Sequence, residues 1–168
     1  MALIGRTDIQ VYRQISNSVY DDVLNQHISD AEFVDLQELM GMDFYNDLVR
    51  NKATALNVSL LDGGTYTYNE ITYTNVGLKA VLSHYAYARY IMFGSQTDTP
   101  FGFVEKSTQE SNPVSESGKK IMFKMNQQTA FKYWENVVSF LNKNESDYPL
   151  WKNGCNQTKT KFRISKIS

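Results

Sequence analysis

One cysteine, three prolines and two histidines are all that these 168 residues hold of the types that staple, bend and most often catalyse. The single thiol, Cys155, rules out both a disulfide framework and a cysteine-based zinc cluster. His27 and His84 each sit in an apolar, helix-spaced pattern that reads as packing. No run of about 20 apolar residues occurs, so no membrane span is expected. The opening "MALIGRTD" lacks the apolar core of a signal peptide, which leaves the triplets "NVS", "NES" and "NQT" without weight as glycosylation sites. There is no Gly-rich phosphate loop and no metal-ligand spacing. Asp21, Asp22, Asp30, Glu32, Asp35 and Glu38 recur at helical spacing, as acids on a solvated face do. Together these absences argue against an enzyme, and neither a metal nor an organic cofactor is expected.

Aromatic residues and segregated charge are what the chain does have. Eleven Tyr, nine Phe and two Trp are a rich set, and Tyr is favoured at interfaces as well as in cores. The net charge of −1 hides an asymmetry. Residues 1–62 carry ten acids against four bases, whereas residues 99–168 carry six acids against eleven bases. Residues 152–168 alone hold Lys152, Lys159, Lys161, Arg163 and Lys166 and no acid. Such a split suits either solvated faces with a loose basic tail, or an acidic end of one copy meeting the basic end of the next.

Periodicity predicts a mainly α chain: a bundle of about four helices with a small β-hairpin, a long inter-helix loop and an extended C-terminal tail. Tyr20, Val23, Leu24, Ile28, Ala31 and Leu39 mark a helix over 20–40 that Gly41 closes. Within it "SDAE" (Ser29 to Glu32) has the pattern of a capping box, so a break and restart is expected there. "MDFYNDLVRN" predicts a short helix with Phe44, Leu48 and Val49 inward, and 53–64 reads as a connection. In "TYTYNEITYT", alternation about Asn69-Glu70 predicts a hairpin over about 65–74 that pairs Tyr68 with Ile71 and Tyr66 with Tyr73. "TNVGLKAVLSHYAYARYIMFG" is apolar nearly all round, as a helix central to a bundle or shared with a partner would be, with Thr74 or Asn75 as its cap. A last helix over 117–141 carries Phe123, Ala130, Trp134, Val137 and Leu141 on one stripe, widened by Phe131 and Val138. "YPLW" (Tyr148 to Trp151) is expected to fold back as an apolar anchor. One domain, 1–151, is followed by the basic tail 152–168.

Two stretches resist a packing account. "TPFGFVEKSTQESNPVSES", inside an arm loop of about 95–117, is long for a connection between packed helices, and it opens with Phe101, Phe103 and Val104. "KTKFRISKIS" alternates Lys159, Lys161 and Arg163 with Phe162 and Ile164, as an added strand does.

Four stretches in this order carry a resemblance. "ISDAEFVDLQELMGMDFYNDLV", "GLKAVLSHYAYARY", "TPFGFVEK...SNPVS" and "AFKYWENVVSFL" resemble the head–tail connector (adaptor) proteins of tailed bacteriophages, in the version of crAss-like phages. The resemblance covers about residues 1–151. It implies a non-enzymatic virion protein of the neck, made in the host cytoplasm and assembled as a ring of about twelve copies beneath the portal protein. Copies of itself, the portal and other neck or tail proteins are then the expected partners, with passing contact to packaged DNA and no membrane. On this reading Tyr66, Tyr68, Ile71 and Tyr73 of the hairpin, Phe101, Phe103 and Val104 of the arm, and Lys159, Lys161, Phe162, Arg163 and Ile164 of the tail are the expected partner-binding residues. A second class fits the tail alone, a small helical nucleic-acid-associated protein. The chain's pI near 6.1 is low for that class.

Overall fold

In the computed structural model, which describes residues 2–94, 96–100, 102–105 and 114–151, the chain is mainly helical. For 96–99 and 102–105 it is the backbone that is described. The sequence begins with a helix its periodicity does not announce, α1 (Arg6–Tyr12). The Asp8 carboxylate accepts the Gly5 N–H at 2.8 Å, and Ile9 is wholly buried.

The expected 20–40 helix forms a continuous rod: α2 (Asp21–Asp30), a wide π-helical turn (Ala31–Leu36) and α3 (Gln37–Met40). It bulges at "SDAE" and does not break. Leu24, Ile28, Glu32, Leu36 and Met40 are all buried. They recur every fourth residue, and in a regular α-helix such a row drifts by about 160° over four steps. The π turn takes up that drift and keeps the row on the core. Gly41, at φ 83, ends the rod where a side chain would be strained.

After Gly41 comes α4 (Met42–Arg50), which buries Phe44, Tyr45 and Leu48 while Val49 packs at the edge of the core. The stretch read as a connection contains α5 (Ala55–Asp62). Thr54 Oγ1 accepts the Asn57 N–H at 3.4 Å, and Leu60 and Leu61 are buried. Its Asn57, Val58 and Ser59 are weak helix formers, so burial and capping hold this helix rather than propensity.

Strands β1 (Gly64–Tyr68) and β2 (Ile71–Asn75) pair antiparallel in the register that the Tyr/Thr alternation predicts. Asn69 and Glu70 both take positive φ, 49° and 65°, the pattern of a type I′ turn. The strand β2 runs through Thr74 and Asn75, so neither caps the next helix, and Gly77 does. Gly63 and Gly77 stand back to back at the hairpin's base. A Cβ on Gly63 would lie 2.8 Å from Gly77 N, and one on Gly77 would lie 2.6 Å from Gly63 N.

The greasy helix α6 (Leu78–Phe93) is the centre of the bundle. It packs against α1, α2, the π turn, α5 and α7, so its all-round apolarity is consumed within the subunit. The arm region starts as a second hairpin, β3 (Gln96–Thr99) with β4 (Gly102–Glu105), where a loop was expected. Ser115 then caps α7 (Glu116–Lys143) by accepting the Gly118 N–H at 3.2 Å. Ala130, Trp134, Val137 and Leu141 are buried as predicted, but Phe131 is exposed, because it stands about 100° round the helix from Ala130, at the margin of the buried stripe. Tyr148 and Trp151 fold back as expected, their rings 6.1 Å from Phe44 of α4. Tyr148 also donates to the Leu56 carbonyl at 2.8 Å.

Candidate partner-binding surface

The hairpin has two halves with different surroundings. At its base Tyr66 and Tyr73 stack at 5.5 Å, and Tyr66 meets the edge of Phe140 on α7 at 4.9 Å. Lys143 Nζ lies 4.1 Å from the centre of the Tyr73 ring, a cation–π contact. Asn136 of α7 completes the attachment: its Oδ1 accepts the Val76 N–H at 2.9 Å, and its Nδ2 donates to the Thr74 carbonyl at 3.0 Å. The lower half of the aromatic face thus belongs to the subunit's own packing. At the tip the same face continues as Tyr68 and Ile71, which are 40% and 55% exposed. These two are the part of the ribbon still without cover.

A second apolar surface lies on the first half of α7. Ile121 and Met125, each 60% exposed, sit one turn apart, with Val114 and Met122 beside them. They are turned away from the inner stripe of Asn126, Ala130 and Trp134. The surface borders an open groove of about 890 Å³ whose lining includes Asp35, Tyr85, Met125, Phe131, Lys124 and Lys132. Asp35 is not free there, because Arg89 Nε and Nη2 donate to its two oxygens at 2.9 and 3.2 Å. Apolar residues of this outer stripe were spaced at i and i+4 in the sequence. The stronger inner stripe alone accounts for the helix, so the outer one carries no separate signal in the sequence.

The acids expected on a solvated face divide. Glu32 is buried; its carboxylate accepts the Leu3 N–H at 2.6 Å and the Tyr45 hydroxyl at 3.3 Å, and burial raises its pKa. Asp21 pairs with Arg6, and Asp35 with Arg89. Asp22, Asp30, Glu38 and Asp43 stay exposed with no ion pair among the described residues. They share their face with Phe33, Val34 and Met42, all more than half exposed. Burial likewise accounts for His27 and His84, whose pKa values are both lowered. Among the described residues no group of His, Cys, Asp or Glu could hold a metal ion, and no helix is long and apolar enough to cross a membrane.

Of the other sequence-predicted contact residues, Phe103 and Val104 lie on strand β4. Phe101, Lys159, Lys161, Phe162, Arg163 and Ile164 lie outside the described residues. The chain belongs to a family described as a family of unknown function (DUF6712), whose model matches residues 36–161. No curated protein and no solved structure matches it.

Proposed function

We propose that this member of the DUF6712 family is a structural subunit of a phage particle, a head–tail connector that forms a ring between portal and tail. The sequence resemblance motivates the reading. The observation that carries it furthest is the division of the β1–β2 hairpin: a base bolted to α7 through Asn136, Phe140 and Lys143, and a tip that offers Tyr68 and Ile71 to whatever lies beyond. A two-stranded ribbon is marginal alone, and one so anchored makes a firm projection. Ile121 and Met125 give a second apolar surface. A ring subunit needs two different surfaces, because head-to-tail contacts close by rotation. No catalytic chemistry enters this role.

The test is the mass of the assembly. Purified protein and particles should yield a discrete multiple of the subunit mass by light scattering and native mass spectrometry. The double change Tyr68→Ser, Ile71→Ser should lower that multiple, or abolish joining of heads to tails, with the subunit's urea midpoint unmoved. Tyr66→Ser is the contrast, since it should lower the midpoint itself. A protein that remains monomeric and is absent from particles would sink the proposal.

A further inference from the structure

The outward face of the α2–π–α3 rod and α4 combines three properties. It is unpartnered, it is apolar along its middle, and it is strongly negative. Residues 21–47 contain eight acids and no Lys or Arg. Two of these acids are ion-paired and Glu32 is buried. Asp22, Asp30, Glu38, Asp43 and the half-buried Asp47 remain. Between them Phe33 is 60% and Met42 65% exposed, with Val34 alongside. Charge alone would suffice for solubility, and Phe33 and Met42 left in water forgo the benefit of burial. An occupant that fits must bring several positive charges interleaved with apolar side chains.

Residues 152–168 of the same chain have that composition. They carry five bases and no acid, with Phe162, Ile164 and Ile167 among them. Five bases face five uncompensated acids. The point of departure also fits. The described chain stops at Trp151, whose ring lies 6.1 Å from Phe44 of α4, and Leu150 and Asp47 line one depression together with Phe44. The segment therefore leaves the bundle beside one end of the acidic face. Seventeen residues span up to about 55 Å when extended, and the face from Asp22 to Met42 is about 30 Å long. Tethering supplies an effective concentration in the millimolar range for a short flexible link, so its own chain's face is reached before a neighbour's.

We infer that residues 152–168 dock on the acidic, Phe33/Val34/Met42-bearing face of their own subunit. Lys159, Lys161 and Arg163 meet Asp30, Glu38 and Asp43, and Phe162 and Ile164 cover Phe33 and Val34. The basic segment is then a strap across the first helical rod, held by charge and closed by apolar contact.

Zero-length carbodiimide coupling of the full-length protein tests this, because it joins only amines and carboxylates in direct contact. Lys159 or Lys161 should couple to Asp30, Glu38 or Asp43. An equimolar mixture of ¹⁴N and ¹⁵N chains should give coupled peptides of one isotope only. Yield should fall at least fivefold in 1 M NaCl, where the screening length drops to about 3 Å, and equally in Phe162→Ser/Arg163→Glu, which leaves the coupling lysines in place. Coupling spread over unrelated exposed acids such as Glu70 and Glu135 would overturn the inference. So would mixed-isotope peptides, which would assign the face to another copy, or a yield that neither salt nor the variant changes.

Discussion

His84 is wholly enclosed between the rings of Tyr12 and Tyr133, with centroids at 6.0 and 5.0 Å. Neither ring nitrogen makes a hydrogen bond, and Asn126 beside it is committed, accepting from Arg13 Nε and donating to the Met122 carbonyl. Burial, reinforced by the Arg13 charge and only partly offset by the neighbouring Asn126, lowers its pKa to about 4. The unfolded chain, titrating near the ordinary value of 6.5, then binds the extra proton first. The stability that neutral His84 supports is complete above about pH 6.5 and drains away as pH falls toward 4, roughly 2–4 kcal/mol in all. Glu32 works in the opposite sense. Its raised pKa makes its buried carboxylate a cost at neutral pH, and that cost is relieved as it takes up a proton. Urea midpoints recorded from pH 7 to pH 4 should therefore fall steeply for the native protein. They should fall much less for His84→Phe, which keeps the ring packing and removes the titrating nitrogen.

At the scale of the element, the two central residues of the first hairpin's turn are both left-handed, and Glu70 is an L-residue poorly suited to φ 65. The left-handed region costs a non-glycine residue about 1–2 kcal/mol, and glycine gives back about 0.5–1 in unfolded-state entropy. Glu70→Gly should thus raise stability by about 0.5–1 kcal/mol in urea denaturation and leave the pairing of Tyr66 with Tyr73 unchanged. What was legible beforehand follows the same local logic. Strict alternation of Tyr and Thr has one reading, and it gave the strands and their register; i+3/i+4 spacing gave the long helices. The helices α1 and α5 escaped because seven and eight residues are too few to show a period, and their helicity comes from burial of Ile9, Leu60 and Leu61. The π turn escaped because it answers a drift between the rod and α6, which no local pattern encodes. The same limit applied to the site. Tyr66, Tyr68, Ile71 and Tyr73 read as one face, but the arrival of Phe140 and Lys143 from a distant part of the chain decides which half is covered.

Taken whole, the molecule is closed by a residue near the end of its described chain. Trp151 bridges α4 and α7: its ring lies 6.1 Å from Phe44 and 5.9 Å from Trp134, and its Nε1 donates to Asn142 Oδ1 at 2.8 Å. The first acidic helices and the long last helix are joined through it. Trp151→Ala should cost about 3–5 kcal/mol, read as a lower urea midpoint, with the loss shared by both ends of the bundle in one cooperative transition. The paired glycines at the hairpin's root have a consequence of another kind, for how such a chain can change its length. Gly63 and Gly77 fix where both strands leave the bundle, and Asn136 fixes the last of them. Residues can then be added or removed between the two glycines only in matched sets, equally in each strand. A single unpaired insertion would turn every later side chain to the opposite face and carry Tyr73 off α7. A lengthened hairpin of this design would keep its foot and move only its reach, so the distance bridged to a neighbour can vary while the subunit beneath it stays the same.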